Sequence, residues 1–298
     1  MARARQLVYL GVVLLMVVFV VAFTSESFSL NTLLRPVPHS PRIGKLYTED
    51  FNSPSVKASD PVVLKSIREQ YLVPPSKLPY NLSEPEEENP SMGQAQRIDF
   101  ILQGKENGFY VECGALDGEA RSNTLFFERK RGWKGLLIEA DPKNFNQMLS
   151  KHRKAYMSQS CLAPTTHPTM VFFQQHENQG HIVGGKQSFP SNGEGAGGVV
   201  EVQCFPLISY LAALEVKTVD YFSLDIEGAE FSVLKTIPWD EVDIKTLSVE
   251  FIHDPEGKDA IQKYMIISFF PCFHMLNDIK FLRKSHCRMR ECKNEFAV

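Results

Sequence analysis

The chain has 298 residues, enough for one large domain with accessory segments. Apolar residues make up 43% and charged residues 22%, the proportions of an ordinary globular protein. A net charge of −3 supplies no basic excess, which argues against a nucleic-acid partner.

Residues 1–6 read as a short cytosolic tail carrying Arg3 and Arg5. Residues 7–23 form an uncharged apolar run, interrupted only by Tyr9, Gly11 and Ala22, close to the shortest length that crosses a bilayer. The pattern predicts a retained signal-anchor. The alternative is a cleaved signal peptide, with Val20-Val21-Ala22 as a poor cleavage site. No positive charge follows until Arg35, so the positive-inside rule puts the N-terminus in the cytosol and the bulk of the chain in the lumen. Residues 24–92 read as a proline-rich stem that favours extended spacing. It carries an acidic run from Glu84 to Glu88, a short helix over 62–71 and a glycosylation sequon, Asn81-Leu82-Ser83.

A domain is expected over 93–284. Ala95, Ile98, Ile101 and Leu102 have helical spacing. Phe109 to Val111 read as a buried strand ending in Glu112, with a turn built on Gly114 and Asp117-Gly118, and a helix over 121–130. A strand from Gly135 ends in Glu139, with Asp141 just beyond, and a helix follows Pro142. Further strands are expected over 155–160, 170–173 and 199–204, with a glycine-rich loop over 177–198 before the last. A helix over 206–214 leads to the strand 219–224, which ends in Asp225 with Glu227 and Gly228 in its turn. A helix around 231–234, a strand 244–251 containing Glu250, a helix 259–269 and a closing pair of strands at 272–276 and 279–282 complete the domain. Strands alternating with helices imply an α/β fold with a mostly parallel, doubly wound sheet. Ligands of such sheets bind at the carboxyl ends of the strands. Three strands that each end in carboxylates therefore suggest one shared acidic rim.

The blocks FYVECGALDG, GLLIEADP and DYFSLDIEGAEF resemble those of FkbM-type methyltransferases, which have the Rossmann-like class I fold of enzymes using S-adenosylmethionine (SAM). The resemblance implies that Glu112, Gly114 and Asp117 surround the methionine part of SAM. It implies that Glu139 accepts the ribose hydroxyls, that Asp141 reaches the adenine edge, and that Asp225 and Glu227 lie near the reactive methyl. The acids Asp225, Glu227 and Glu250, with His253 and His181, are the candidate bases for a hydroxyl acceptor. The layout of a domain behind one membrane span also resembles animal Star-like proteins. That resemblance implies trafficking of membrane cargo such as growth-factor precursors between endoplasmic reticulum, Golgi and endosome. The alternative is an active membrane-anchored O-methyltransferase acting on a sugar or another hydroxyl.

Six cysteines fit a lumenal domain. Cys161 and Cys204 both sit at strand ends and could pair, Cys113 reads as a small buried residue, and Cys272, Cys287 and Cys292 crowd the C-terminal region. Cys and His lack the spacing of a zinc site. Residues 285–298 read as a basic tail with a solvated surface.

Overall fold

The computed structural model describes residues 51–176, 178–183, 198–267, 272–274 and 278–282, the last two segments by their backbone. The expected anchor over 7–23, the middle of the glycine-rich loop and the basic tail lie outside the described residues. Among the described residues no helix is long and apolar enough to cross a membrane.

The first described elements belong to the expected stem. Helix α1 (Pro61–Ser66) starts at Asp60, whose Oδ1 accepts the Val62 N–H at 2.9 Å, with proline at the first helical position. It runs into a wider turn over Ile67–Tyr71. Val63 and Ile67 are fully buried in the main core, and Val73 bridges to Met157. Residues 51–92, read above as a spacer, thus pack onto the domain over much of their length. Proline removes backbone donors, so this segment is tied down mostly by side chains of the domain. Arg129 donates to the carbonyls of Pro85 and Glu87, at 2.6 and 3.1 Å. Glu119 accepts the N–H groups of Ser83 and Glu84 at 2.8 and 2.7 Å.

Helix α2 (Gln94–Ile101) leads to strand β1 (Phe109–Cys113). Then follow α3 (Leu125–Arg131), β2 (Lys134–Glu139), α4 (Pro142–Ser150), β3 (Tyr156–Gln159), β4 (Cys161–Leu162), β5 (Thr169–Gln174), β6 (His181–Val183) and β7 (Val199–Phe205). The chain continues through α5 (Leu207–Ala213), β8 (Thr218–Leu224), α6 (Glu230–Leu234), β9 (Asp243–Glu250), α7 (Gly257–Ile267), β10 (Cys272–His274) and β11 (Asp278–Leu282). Seven strands form one sheet in the order β10-β11-β9-β8-β1-β2-β3. Its five strands from β3 to β9 are parallel, and β11 runs antiparallel between β9 and β10. From β1 the chain moves outward through β2 and β3, then returns to β8 on the other side. The order therefore reverses between β1 and β8, where open α/β sheets bind their ligands. This is the doubly wound, Rossmann-like sheet of the methyltransferase fold.

Adjacent residues on one strand feed opposite faces. Val111 and Leu136 join the core with Phe205, Tyr210 and Val249, while Tyr110 and Leu137 join the core with Ile98, Phe127 and Trp133. Both faces are covered, which is why these strands read as continuous apolar runs rather than alternating ones. Each such side chain, fully buried, stabilises the fold by roughly 1.5–3 kcal/mol.

Two expectations are corrected here. The helix expected over 121–130 begins only at Leu125, because Ser122, Asn123 and Thr124 are held in a turn by Glu112. The strands expected at 170–173 and 199–204 do not enter the main sheet. They form a second sheet, ordered β4-β7-β5-β6 and mostly antiparallel. A disulfide between Cys161 of β4 and Cys204 of β7 staples it beside the end of β3.

Candidate functional site

The cleft lies over the carboxyl ends of β1, β2 and β8, at the reversal point. Gly114 opens it. Its φ is +81°, a conformation that favours glycine, and it packs directly on the Asp225 backbone. The two strand ends are held together by the Asp225 N–H donating to the Cys113 carbonyl at 3.1 Å.

Glu139 also lines the cleft. One carboxylate oxygen accepts the Leu116 N–H at 2.7 Å and the other the Asp141 N–H at 2.8 Å. Burial, and then the Asp141 charge, lift its pKa to about 7, although the backbone donors pull the other way. Asp225, Ile226 and Glu227 line the cleft as well, together with Arg121. Leu162, Phe173 and Ile182 add apolar lining, so the unanticipated second sheet supplies part of the cleft.

Glu112 borders the cleft, but its oxygens are taken up by the chain: Ser122 Oγ at 2.9 Å, the Asn123 N–H at 2.6 Å and the Thr124 hydroxyl. Burial raises its pKa, offset in part by the Arg153 charge. Asp117 and Asp141 are not among the cleft-lining residues. Asp117 Oδ1 accepts the N–H groups of Glu119 and Ala120, at 2.9 and 2.7 Å, and Oδ2 sits 3.4 Å from Lys151 Nζ. Asp141 caps α4 through the Lys143 N–H at 2.7 Å and accepts Gln175 Nε2 at 2.9 Å. As placed, these two acids brace the segments around the cleft. A carboxylate just before Pro142 is also a helix cap by its position.

The candidate bases divide by place. Glu227 lines the cleft, and its Oε2 lies 2.6 Å from His253 Nδ1. Burial raises the Glu227 pKa, opposed by the charges of His253, His181 and Arg121. Glu250 is turned to the backbone of its own turn, accepting the N–H groups of Ile252 and His253. Burial raises its pKa as well. Its carboxylate, with those of Asp225 and Glu230, falls within 4.8 Å of its neighbours. Glu230 is committed to the N–H groups of Ile226 and Gly228, at 2.7 and 2.9 Å, and burial lifts it to about 7. His181 is exposed on β6 and bonds to the Gln179 carbonyl at 3.1 Å.

Arg121 and Asn123 were not singled out from the sequence. Asn123 lines the cleft, donates to Ser223 Oγ at 2.9 Å, and keeps a buried Oδ1 without a hydrogen-bond partner. Such an atom is costly unless something else satisfies it. The run Ser122-Asn123-Thr124 ahead of an apolar helix was the available signal.

Acids, one of them the buried Glu139, an arginine and apolar side chains around one cleft fit the chemistry of SAM: a cationic amino group, ribose hydroxyls, a carboxylate and a purine. With the doubly wound sheet, they mark a SAM-dependent methyltransferase domain. Its sequence matches the family "Methyltransferase FkbM domain" over residues 112–292, more than half of the chain, and the chain belongs to that family. SAM is the methyl donor this membership implies. A search of curated proteins finds no significant match.

Among solved structures the chain is similar to an RNA methyltransferase candidate from Pyrococcus horikoshii, at 13% identity and a TM-score of 0.35, covering 79% of this chain and 93% of that one. It is similar to the methyltransferase domain of METTL16, at 10% identity and 0.40, covering 74% and 77%. It is also similar to a human methyltransferase 10 domain containing protein, at 12% and 0.34, covering 78% and 96%. At these values the likenesses carry no argument about substrate.

Proposed function

We propose that the chain is a SAM-dependent O-methyltransferase acting on a sugar or another hydroxyl-bearing acceptor. The observation that carries this reading is the convergence of Gly114, Glu139, Asp225 and Glu227 on one cleft at the reversal of strand order. Gly114 gives the ligand close backbone approach. Glu139 holds the ribose hydroxyls, and Arg121 the carboxylate of the methionine part. The apolar wall of Leu162, Phe173 and Ile182 receives the base and excludes water. Bound SAM supplies an electrophilic methyl group on a sulfonium, and the acids at the Asp225 end favour that positive charge.

Calorimetry of SAM with the purified full-length chain tests this. Micromolar binding that is weakened about a hundredfold or more by Glu139→Ala, in a variant that still unfolds cooperatively, supports the reading. No binding by the folded wild type would retire it. The proposal keeps the single-pass anchor over 7–23 and a lumenal domain in the secretory pathway. Glycosidase sensitivity at Asn81 tests that orientation, since Asn81 is exposed. Cargo carriage in the manner of Star-like proteins has no observation in its favour here.

A further inference from the structure

We propose that Glu227 and His253 form a proton-accepting pair at the mouth of the cleft, with Glu227 positioning the imidazole so that Nε2 takes the proton of the acceptor hydroxyl. This deepens the methyl-transfer reading above and rests on it.

Two turns carry the pair, and each is locked. Glu227 has a φ of +60°, the left-handed region that non-glycine residues seldom occupy. The turn keeps that shape because Glu230 accepts the N–H groups on both sides of it, from Ile226 and Gly228. Gly228 lets the second turn come close: a Cβ there would lie 2.9 Å from the His253 carbonyl oxygen. The His253 turn is fixed from its other sides. Glu250 accepts its N–H groups, and Asp254 reaches across to the Phe231 N–H at 2.8 Å.

The result is His253 Nδ1 at 2.6 Å from Glu227 Oε2, with Glu250 Oε1 farther away at 3.9 Å. The acid side chain is 17% exposed and lines the cleft, while the imidazole is 46% exposed and stands just outside the lining residues. A hydrogen bond at one ring nitrogen sets the tautomer. With Nδ1–H held by Glu227, the Nε2 lone pair is left for a proton. Acid, imidazole and an incoming hydroxyl in series are the arrangement that activates oxygen nucleophiles. In the step, the hydroxyl proton passes to Nε2 and an oxygen lone pair forms the bond to the methyl carbon. The electrons of the broken carbon–sulfur bond stay on sulfur, and the imidazolium then releases its proton to water.

The test uses the full-length chain. Nitrogen-15 NMR of His253 at alkaline pH reads the tautomer directly. The wild type is expected to carry the proton on Nδ1, and Glu227→Ala to lose that preference. In parallel, tritium transfer from methyl-labelled SAM to methyl glucoside and inositol, used as probe hydroxyls, is expected to fall about a hundredfold or more in His253→Asn. Calorimetry is expected to find that this variant still binds SAM. A wild-type imidazole protonated on Nε2, or a His253→Asn protein with undiminished transfer, overturns the inference. Failure of the wild type to bind SAM would instead sink the methyl-transfer reading, and the tautomer measurement would remain valid beside it.

Discussion

The carbonyl oxygen of Asp225 occupies the space into which any side chain at Gly114 would project: an added Cβ would lie 1.7 Å from it. No backbone atom can yield that much without separating β1 from β8. Gly114→Ala should therefore lower stability by about 2–4 kcal/mol, a left-handed backbone penalty plus a clash. It should also abolish SAM binding. Urea unfolding and calorimetry on the same sample check both. A normal urea midpoint would show that the two strand ends are free to part.

Stability should depend on pH through two buried acids. Burial is the larger cause at both, and it lifts Glu139 and Glu230 to about 7 from an ordinary 4.5. Between those values the folded chain keeps protons that the unfolded chain has released. Stability is thus greater on the acid side of this window and falls as pH rises through it. Urea midpoints at about pH 5 and about pH 7.5 should show the fall, and Glu139→Gln should show a smaller one.

Arg153 is fully buried behind the cleft, with Nε at 3.2 Å from Glu128 Oε2 and further bonds to Tyr110, Ser122 and Thr124. Removing one member of such a pair strands the other charge in the core. Arg153→Met should destabilise by about 3–5 kcal/mol, and adding Glu128→Gln should recover part of the loss. A double-mutant cycle by urea unfolding measures the recovery. If the two losses simply add, the pair is not coupled.

Reduction should loosen the second sheet. The Cys161–Cys204 bridge closes a loop of 43 residues in sequence separation, and on the chain-entropy account its loss lowers stability by about 4 kcal/mol. Because Cys161 borders the cleft, SAM affinity should fall with it. Thermal unfolding and calorimetry with and without a reductant check this, and the Cys161→Ser, Cys204→Ser double variant should behave like the reduced wild type.

The main sheet was legible because its strands end in unusual residues. Val111, Ile138 and Leu224 are apolar runs cut off by Glu112, Glu139 and Asp225, and each cut marks the rim. The parts that stayed hidden depend on contacts distant in sequence. Nothing in Thr169–Gln174 says that it pairs antiparallel with Val199–Phe205 rather than joining the parallel sheet. An acid at a strand end is equally suited to a ligand or to its own chain, and Glu112 and Glu139 both accept backbone N–H groups. Only the position of the neighbouring donors decides between the two uses. The stem misled for the complementary reason: its prolines describe local stiffness, whereas Val63 and Ile67 are buried by the rest of the fold.

That packing changes what a cut in this segment would do. A protease acting between Val73 and Asn81 would nick the protein without dividing it. Helix α1 would stay seated in the core on one side of the break, and Ser83 and Glu84 would stay bonded to Glu119 on the other. A single cut there would therefore leave the segment carrying Val63 and Ile67 held by the domain.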